Sequence, residues 1–97
     1  MGFTIGEIIV SYDVNKLHVD VKNAMKLLGY NEKWNYPNDK SYYLPNTTLW
    51  HSNKSSNQGI SDLKSVCSRL GVSLEKAIAV KATEFVGVWF KNQKYGK

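Results

Sequence analysis

The chain is poor in cysteine, proline and arginine, and each scarcity narrows the classes of protein to which it can belong. Cys67 is the only cysteine, so no disulfide can form within the chain, and we expect a reducing, cytoplasmic compartment. No apolar run reaches the roughly 20 residues of a spanning helix, and no secretory h-region is visible, so no membrane association is expected. C-x-x-C, H-E-x-x-H, G-x-S-x-G and phosphate-loop motifs are absent, which argues against structural zinc, serine-hydrolase chemistry and P-loop hydrolysis.

The positive charge is almost entirely lysine. There are 13 Lys+Arg against 8 Asp+Glu, a formal net charge of +5, and Arg69 is the only arginine. Lys91, Lys94 and Lys97 supply three of these charges, which leaves a body of about +2. Because base reading favours the arginine fork, sequence-specific recognition is not indicated, whereas diffuse attraction to phosphates remains open.

Length and composition predict one globular domain with a modest core. The chain has 97 residues, of which 42% are hydrophobic and 22% charged, so neither a second domain nor global disorder is expected. We assign residues 1–90 to a single domain and residues 91–97 to a disordered basic tail. Phe85 to Phe90 is too apolar for a free tail, and it is predicted to form a further short strand or an arm that covers an edge, on this subunit or another.

Hydrophobic periodicity predicts alternating strands and helices. The β-branched run Ile8 to Val10 favours a strand buried on both faces, which ends in a loop at Asp13. Gly29 and Gly71 are typical C-terminal helix glycines, and Ser55 or Ser56 can cap the second helix. The predicted elements are strand 7–12, helix 19–28, strand 31–36, strand 46–51, a second helix with apolar periodicity over 60–70 and strand 76–83.

This order, β-α-β-β-α-β, is that of a ferredoxin-like α+β fold. One antiparallel sheet carries both helices on one face, and an extra C-terminal strand is possible. Residues 37–40 combine proline, asparagine and aspartate and are predicted to form a turn. The sequence assigns no secondary structure to residues 41–44. Cys67 lies on the apolar side of the second helix and is predicted to be a core residue. Since this fold serves many functions, function has to be argued from a site.

Asp13 is the leading candidate for chemistry, because it is an acid that follows the most strand-like segment. It can be a turn residue or a helix cap, or it can be a metal ligand or general base. One carboxylate is a poor magnesium site by itself, whereas a symmetric dimer can bring two copies together.

The third strand offers secondary candidates. His51 is either a general acid or base or a solvent-facing strand residue. Thr48 is interpreted mainly as a strand-forming residue. Trp50 can stack on a base, or it can serve the core or an interface.

Three short motifs carry a resemblance to a known group. They are I-I-V-S-Y-D-V-N-K at 8–16, L-L-G-Y at 27–30 and T-T-L-W at 47–50. The region from Ile8 to Val80 resembles the small ferredoxin-like proteins grouped with the CRISPR-associated Cas2 endonucleases, including the SinR-like proteins and the virulence-associated protein D toxins. The resemblance implies a homodimer in which the acid that ends strand one, here Asp13, binds metal. The chain departs from the group at Asn15-Lys16, where nucleic-acid-binding members carry arginines, and at Thr48-Leu49-Trp50, where they carry a serine-aromatic pair.

The leading expectation is therefore a nucleic-acid-associated protein, and specifically a Mg²⁺-dependent endoribonuclease of the toxin-antitoxin or CRISPR-related type. In this hypothesis Asp13 is catalytic and holds the metal, while Tyr12, Asn15 and Lys16 position a phosphate of RNA or DNA. The alternative is a non-catalytic ferredoxin-like interaction module that binds a protein or itself. A small-molecule site between Trp50, His51 and the second helix is the third hypothesis.

Overall fold

The computed structural model describes residues 2–35 and 41–82, which form five strands and two helices. In chain order these are β1 (Gly6–Val14), α1 (His18–Leu27), β2 (Lys33–Asn35), β3 (Ser41–Tyr43), β4 (Thr48–Lys54), α2 (Ser56–Leu70) and β5 (Leu74–Lys81). The predicted turn at 37–40, the Phe85 to Phe90 arm and the 91–97 tail lie outside the described residues. In the part that is described, no helix is long and apolar enough to span a membrane.

The sheet confirms the predicted α+β, ferredoxin-like architecture. Its order is β4-β1-β5, with β1 antiparallel to both neighbours. A reciprocal pair of backbone hydrogen bonds between Asn31 and Trp50, of 2.8 and 3.0 Å, joins the segment before β2 to the outer side of β4. The segment left open at 41–44 contributes β3, which pairs with β2 as a small hairpin.

β1 differs from its prediction in length and in burial. It runs to Val14, because β5 continues to pair with it beyond Tyr12, so Asp13 lies within the strand instead of in a loop. The expectation of a strand buried on both faces is wrong. Its even-numbered residues from Ile8 to Val14 are buried, whereas Ile9 is only partly buried and Asp13 is exposed. The alternation arises because the two helices cover only one face of the sheet.

Local signals in the sequence explain the helix ends. The Ser55 hydroxyl accepts a hydrogen bond from the Gln58 N–H, and the Gln58 side chain accepts one from the Ser55 N–H, which completes a capping box. Gly71 adopts a left-handed conformation at the end of α2, as predicted. α1 begins differently, because Leu17 precedes it in the left-handed region without a side-chain cap.

Both helices pack on the same face of the sheet. Val21 and Met25 from α1, together with Leu63 and Val66 from α2, join the even-numbered residues of β1 in one buried cluster. A close approach at Gly59 makes this packing possible, since a Cβ there would lie 2.9 Å from side-chain carbons of Ile8 and of Val10. Cys67 is 2% exposed, which confirms its prediction as a core residue.

Candidate functional site

Both described helices pack on one face of the sheet, and we call the opposite face the open face. Alternation along each strand and the strand register determine which side chains it presents. The β-branched residues Ile78 and Val80 of β5 are 60% and 45% exposed there, although such residues are most often buried. The residues of the open face are Ile9, Ser11, Asp13, Thr48, Trp50, Lys76, Ile78 and Val80.

The open face changes from apolar to polar along β1. The row through Ile9 consists of Trp50, Ile9 and Val80 on the three strands. The next row consists of Thr48, Ser11 and Ile78, and the last pairs Asp13 with Lys76. The open face therefore has an apolar part and a polar end, with Asp13 at the polar end.

A shallow groove of about 240 Å³ lies at the polar end. Asp13 and Lys76 are both exposed in it, and neither side chain makes a hydrogen bond or ion pair with any other residue that the structure describes. The Ser11 and Thr48 hydroxyls form a hydrogen bond of 3.2 Å across the strands. The groove is lined by Ser11, Tyr12, Asp13, Thr47, Lys76, Ala77 and Ile78.

One wall of the groove contains a strained residue. Thr47 has a φ of 62°, in the left-handed region that β-branched residues avoid. Its carbonyl accepts a 3.1 Å hydrogen bond from the Tyr12 N–H, and the turn that contains it is closed by a 3.0 Å bond from the Thr48 N–H to the Pro45 carbonyl. The unfavourable conformation is thus held by hydrogen bonds on both sides of the residue.

Two of the three residues predicted to accompany Asp13 have side chains engaged elsewhere. Tyr12 lines the groove, but its side chain is 3% exposed in the core on the helix-covered side. Burial, with a smaller contribution from Cys67, raises the pKa of its hydroxyl to about 12. The Asn15 side-chain oxygen accepts a 3.0 Å hydrogen bond from the Ser73 N–H, which ties the end of β1 to the segment before β5. Lys16 is exposed just after β1 and is not part of the groove lining.

The three secondary candidates divide between the two faces. Thr48 and Trp50 lie on the open face, and the Trp50 ring packs against Trp34 with centroids 4.9 Å apart. Trp50 also donates its indole N–H to the Lys33 carbonyl. His51 faces the opposite way, so it shares no cleft with Trp50.

His51 has a well-defined structural environment. Its ring and the Tyr30 ring are in an edge-to-face arrangement, with their centroids 5.0 Å apart. Its Nδ1 accepts a 3.0 Å hydrogen bond from the Asn53 N–H. Burial, followed by the nearby Lys54 ammonium, lowers its pKa. A neutral imidazole that accepts at Nδ1 supports the packing between β4 and the end of α1 and is not directed at Asp13.

Sequence reasoning missed Lys76, Thr47 and a polar cluster near α2. In that cluster the Asp62 carboxylate accepts hydrogen bonds of 2.8 Å from the Tyr30 hydroxyl and 2.7 Å from the Lys54 ammonium. Burial and the bond to Asp62 raise the pKa of Tyr30. Pairing of the last strand with β1 was implied by the fold, but the register that sets Lys76 opposite Asp13 was not.

The donor set at the polar end fits a divalent cation only in part. Asp13 supplies one carboxylate, and Ser11 and Thr48 supply hydroxyls. Among the described residues there is no group of three His, Cys, Asp or Glu side chains arranged to hold a metal. Because Mg²⁺ is usually held by one or two carboxylates together with phosphate oxygens and waters, one chain needs a second carboxylate or a substrate phosphate to complete such a site.

Comparison with known proteins adds no relative from which to transfer a function. No family model matches the chain, and no match was found among curated proteins or among solved structures. Function therefore has to be inferred from the arrangement of the side chains.

Proposed function

We propose that this protein is a metal-dependent nuclease that acts as a homodimer, with Asp13 of each copy at a shared site on the open face. The observation that carries the proposal is the position of Asp13. Among the described residues it is an exposed carboxylate without a side-chain partner, and it lies at the polar end of a face whose other end is apolar. The motif around Asp13 resembles that of the Cas2-like group, which supports the same assignment.

The apolar part of the open face supports self-association. Ile78 and Val80 expose much of their surface beside Ile9 and Trp50, and contiguous apolar surface of this kind marks interaction sites. A two-fold axis requires the same patch on both copies. An axis that passes beside Asp13 brings two carboxylates together, so one exposed acid per chain yields a two-carboxylate site.

The chemistry follows from this arrangement. A magnesium ion held there would supply the positive charge that polarises a phosphodiester and lowers the pKa of a bound water. The two Asp13 carboxylates would hold the ion, and the hydrogen-bonded pair of Ser11 and Thr48 hydroxyls keeps one O–H that can donate to a phosphate oxygen. The groove is shallow enough for a polymer to lie across it.

The test is a titration of the folded protein with Mg²⁺ or Mn²⁺ followed by NMR, and then incubation of the same sample with single-stranded and double-stranded RNA. We expect the amides around Asp13 to shift with Mg²⁺ or broaden with Mn²⁺ at millimolar concentration, and we expect RNA to be cut. Asp13→Asn should abolish the metal response and the cleavage, and its circular dichroism spectrum should be unchanged because Asp13 is exposed. The matched control is Asp20→Asn, another exposed acid, in the first turn of α1.

Light scattering should give a dimer for the wild type and for both variants. Cleavage that survives Asp13→Asn, or that is lost equally in Asp20→Asn, would refute the proposed role of Asp13. A monomer at micromolar concentration would refute the shared site.

A second candidate is a non-catalytic interaction module that uses the same face. The apolar row of Trp50, Ile9 and Val80 favours it, because this row can bind a partner whether or not the polar end is catalytic. In that case Val80→Lys should abolish association, and no RNA cleavage should be measurable in any variant. Metal-dependent RNA cleavage by the wild-type protein would exclude this candidate.

A further inference from the structure

We infer that the groove at the polar end of the open face is a phosphate subsite for single-stranded nucleic acid, with Lys76 as its cationic residue. The inference extends the proposed function and rests on it, since it names the group that holds the substrate beside Asp13. It assigns phosphate binding to Lys76 and to the Ser11 hydroxyl, which line the groove with Asp13.

Lys76 differs from several other lysines in being available. Lys26 bonds to Glu32 at 2.9 Å, Lys54 bonds to Asp62 at 2.7 Å, and Lys81 donates to the Thr4 carbonyl at 3.2 Å. Lys76 is exposed in the groove, and its ammonium has no hydrogen bond or ion pair with any other residue in the described ranges. An ammonium in this state gives up no protein partner when it binds a phosphate, and it releases the counterions of the nucleic acid.

Lys76 also stands directly across the strand pair from Asp13. Directly opposite residues on antiparallel strands have Cβ atoms roughly 5 Å apart, so the two charged groups can reach one ligand from adjacent positions. A phosphodiester beside a carboxylate needs a nearby positive charge to offset repulsion. Lys76 supplies that charge without a metal, which separates substrate binding from the metal-dependent step.

The hydroxyl pair completes the subsite. Ser11 and Thr48 share one hydrogen bond of 3.2 Å, which uses the proton of only one of them. The other hydroxyl keeps an O–H that can donate to a phosphate oxygen. Ser11 and Lys76 both line the groove, whereas Thr48 is not part of its lining. With Thr48 as the donor to Ser11, the free O–H is that of Ser11, and it shares the groove with the Lys76 ammonium.

The size of the groove favours a backbone phosphate over a whole nucleotide. Its volume of about 240 Å³ is below the range of roughly 300–1,000 Å³ typical of small-molecule pockets. The lining is polar at Ser11, Asp13 and Lys76 and apolar at Ile78, which suits a phosphate with its attached sugar.

The experiment measures binding of a labelled single-stranded RNA of about twelve nucleotides, in EDTA, by fluorescence anisotropy over a series of salt concentrations. We expect Lys76→Ala to weaken binding about fivefold at 0.1 M salt and to reduce the salt slope by about 0.7, the value for one phosphate contact on a single strand. Lys76→Arg should restore both. The control is Lys64→Ala, an exposed lysine on α2, which should leave binding unchanged.

The outcomes separate this inference from the proposed function. Wild-type binding and slope in Lys76→Ala would overturn the subsite even if metal-dependent cleavage is observed. Loss of binding in Lys76→Ala without any RNA cleavage in the wild type would support the subsite and refute the nuclease. Absence of RNA binding by the wild type, or displacement of the RNA by low-millimolar inorganic phosphate, would overturn the assignment to nucleic acid.

Discussion

The two faces of the central sheet use the same strands for different purposes. On the covered face Ile8 and Val10 are fully buried against α1 and α2, and the cluster has the close packing of a domain core. On the open face the alternate residues of the same strand are less buried, with Ile9 partly buried and Asp13 exposed. The difference indicates that one face of β1 stabilises the fold and that the other is available for a partner or substrate.

The strongest test of this comparison removes a large side chain from each face. Leu63 is fully buried, so Leu63→Ala should lower the free energy of unfolding by about 2–5 kcal/mol through lost transfer energy and a residual cavity. Ile78 is 60% exposed, and Ile78→Ala should cost less than about 0.5 kcal/mol in the monomer. Urea denaturation at a concentration that keeps the protein monomeric measures both, and equal losses would contradict the division between the faces.

A smaller effect is expected from adding an atom to the covered face. Gly59→Ala places a Cβ 2.9 Å from side-chain carbons of Ile8 and Val10, so α2 or those side chains must move. We expect a net loss of about 1–2 kcal/mol, because overpacking outweighs the better helix propensity of alanine. The control is Ser65→Ala, at an exposed position on the same helix. A Gly59→Ala variant as stable as that control would show that α2 is not closely packed against β1 at this point.

A still smaller effect is expected at Tyr12, whose side chain belongs to the covered face although its backbone lines the groove. The hydroxyl is buried and has no hydrogen-bond partner among the residues described. Tyr12→Phe removes a desolvated polar atom and should leave the free energy of unfolding unchanged or raise it by up to about 1 kcal/mol. RNA binding should be unaffected, and a loss of binding would restore Tyr12 to the phosphate-positioning role that the sequence predicted for it.

The sequence identified the elements better than it identified their faces. The start of α2 was predicted to within one residue, at Ser55 or Ser56, and its end at Gly71, because capping is a local property. The burial of β1 was not predicted, because Ile9 is apolar although it lies on the open face, which hides the alternation inside a continuous apolar run. Once a strand is assigned, however, the period of two requires Tyr12 and Asp13 to point to opposite faces.

The site itself depended on information that is not local. Asp13 was identifiable as an acid at the end of an apolar run. Its cross-strand neighbour, Lys76, is determined by the register between β1 and β5. That register shifts at Val14 through an irregularity beside the site. A slip of one residue would move Lys76 to the other face, so composition and periodicity could not select it.

The smallest predicted effect on stability concerns the strained residue at the edge of the open face. The left-handed conformation of Thr47 lowers the free energy of unfolding by about 1–2 kcal/mol. Glycine avoids that strain, but its greater freedom in the unfolded chain costs about 0.5–1 kcal/mol. Thr47→Gly should therefore raise the free energy of unfolding by about 0.5 kcal/mol, measured by urea denaturation. Leu17→Gly is the matched control, since Leu17 has a similar φ of 57° and lies away from the groove. If the strain at Thr47 shapes the groove, both variants become more stable but only Thr47→Gly weakens RNA binding, whereas equal binding by both would assign the strain to the turn alone.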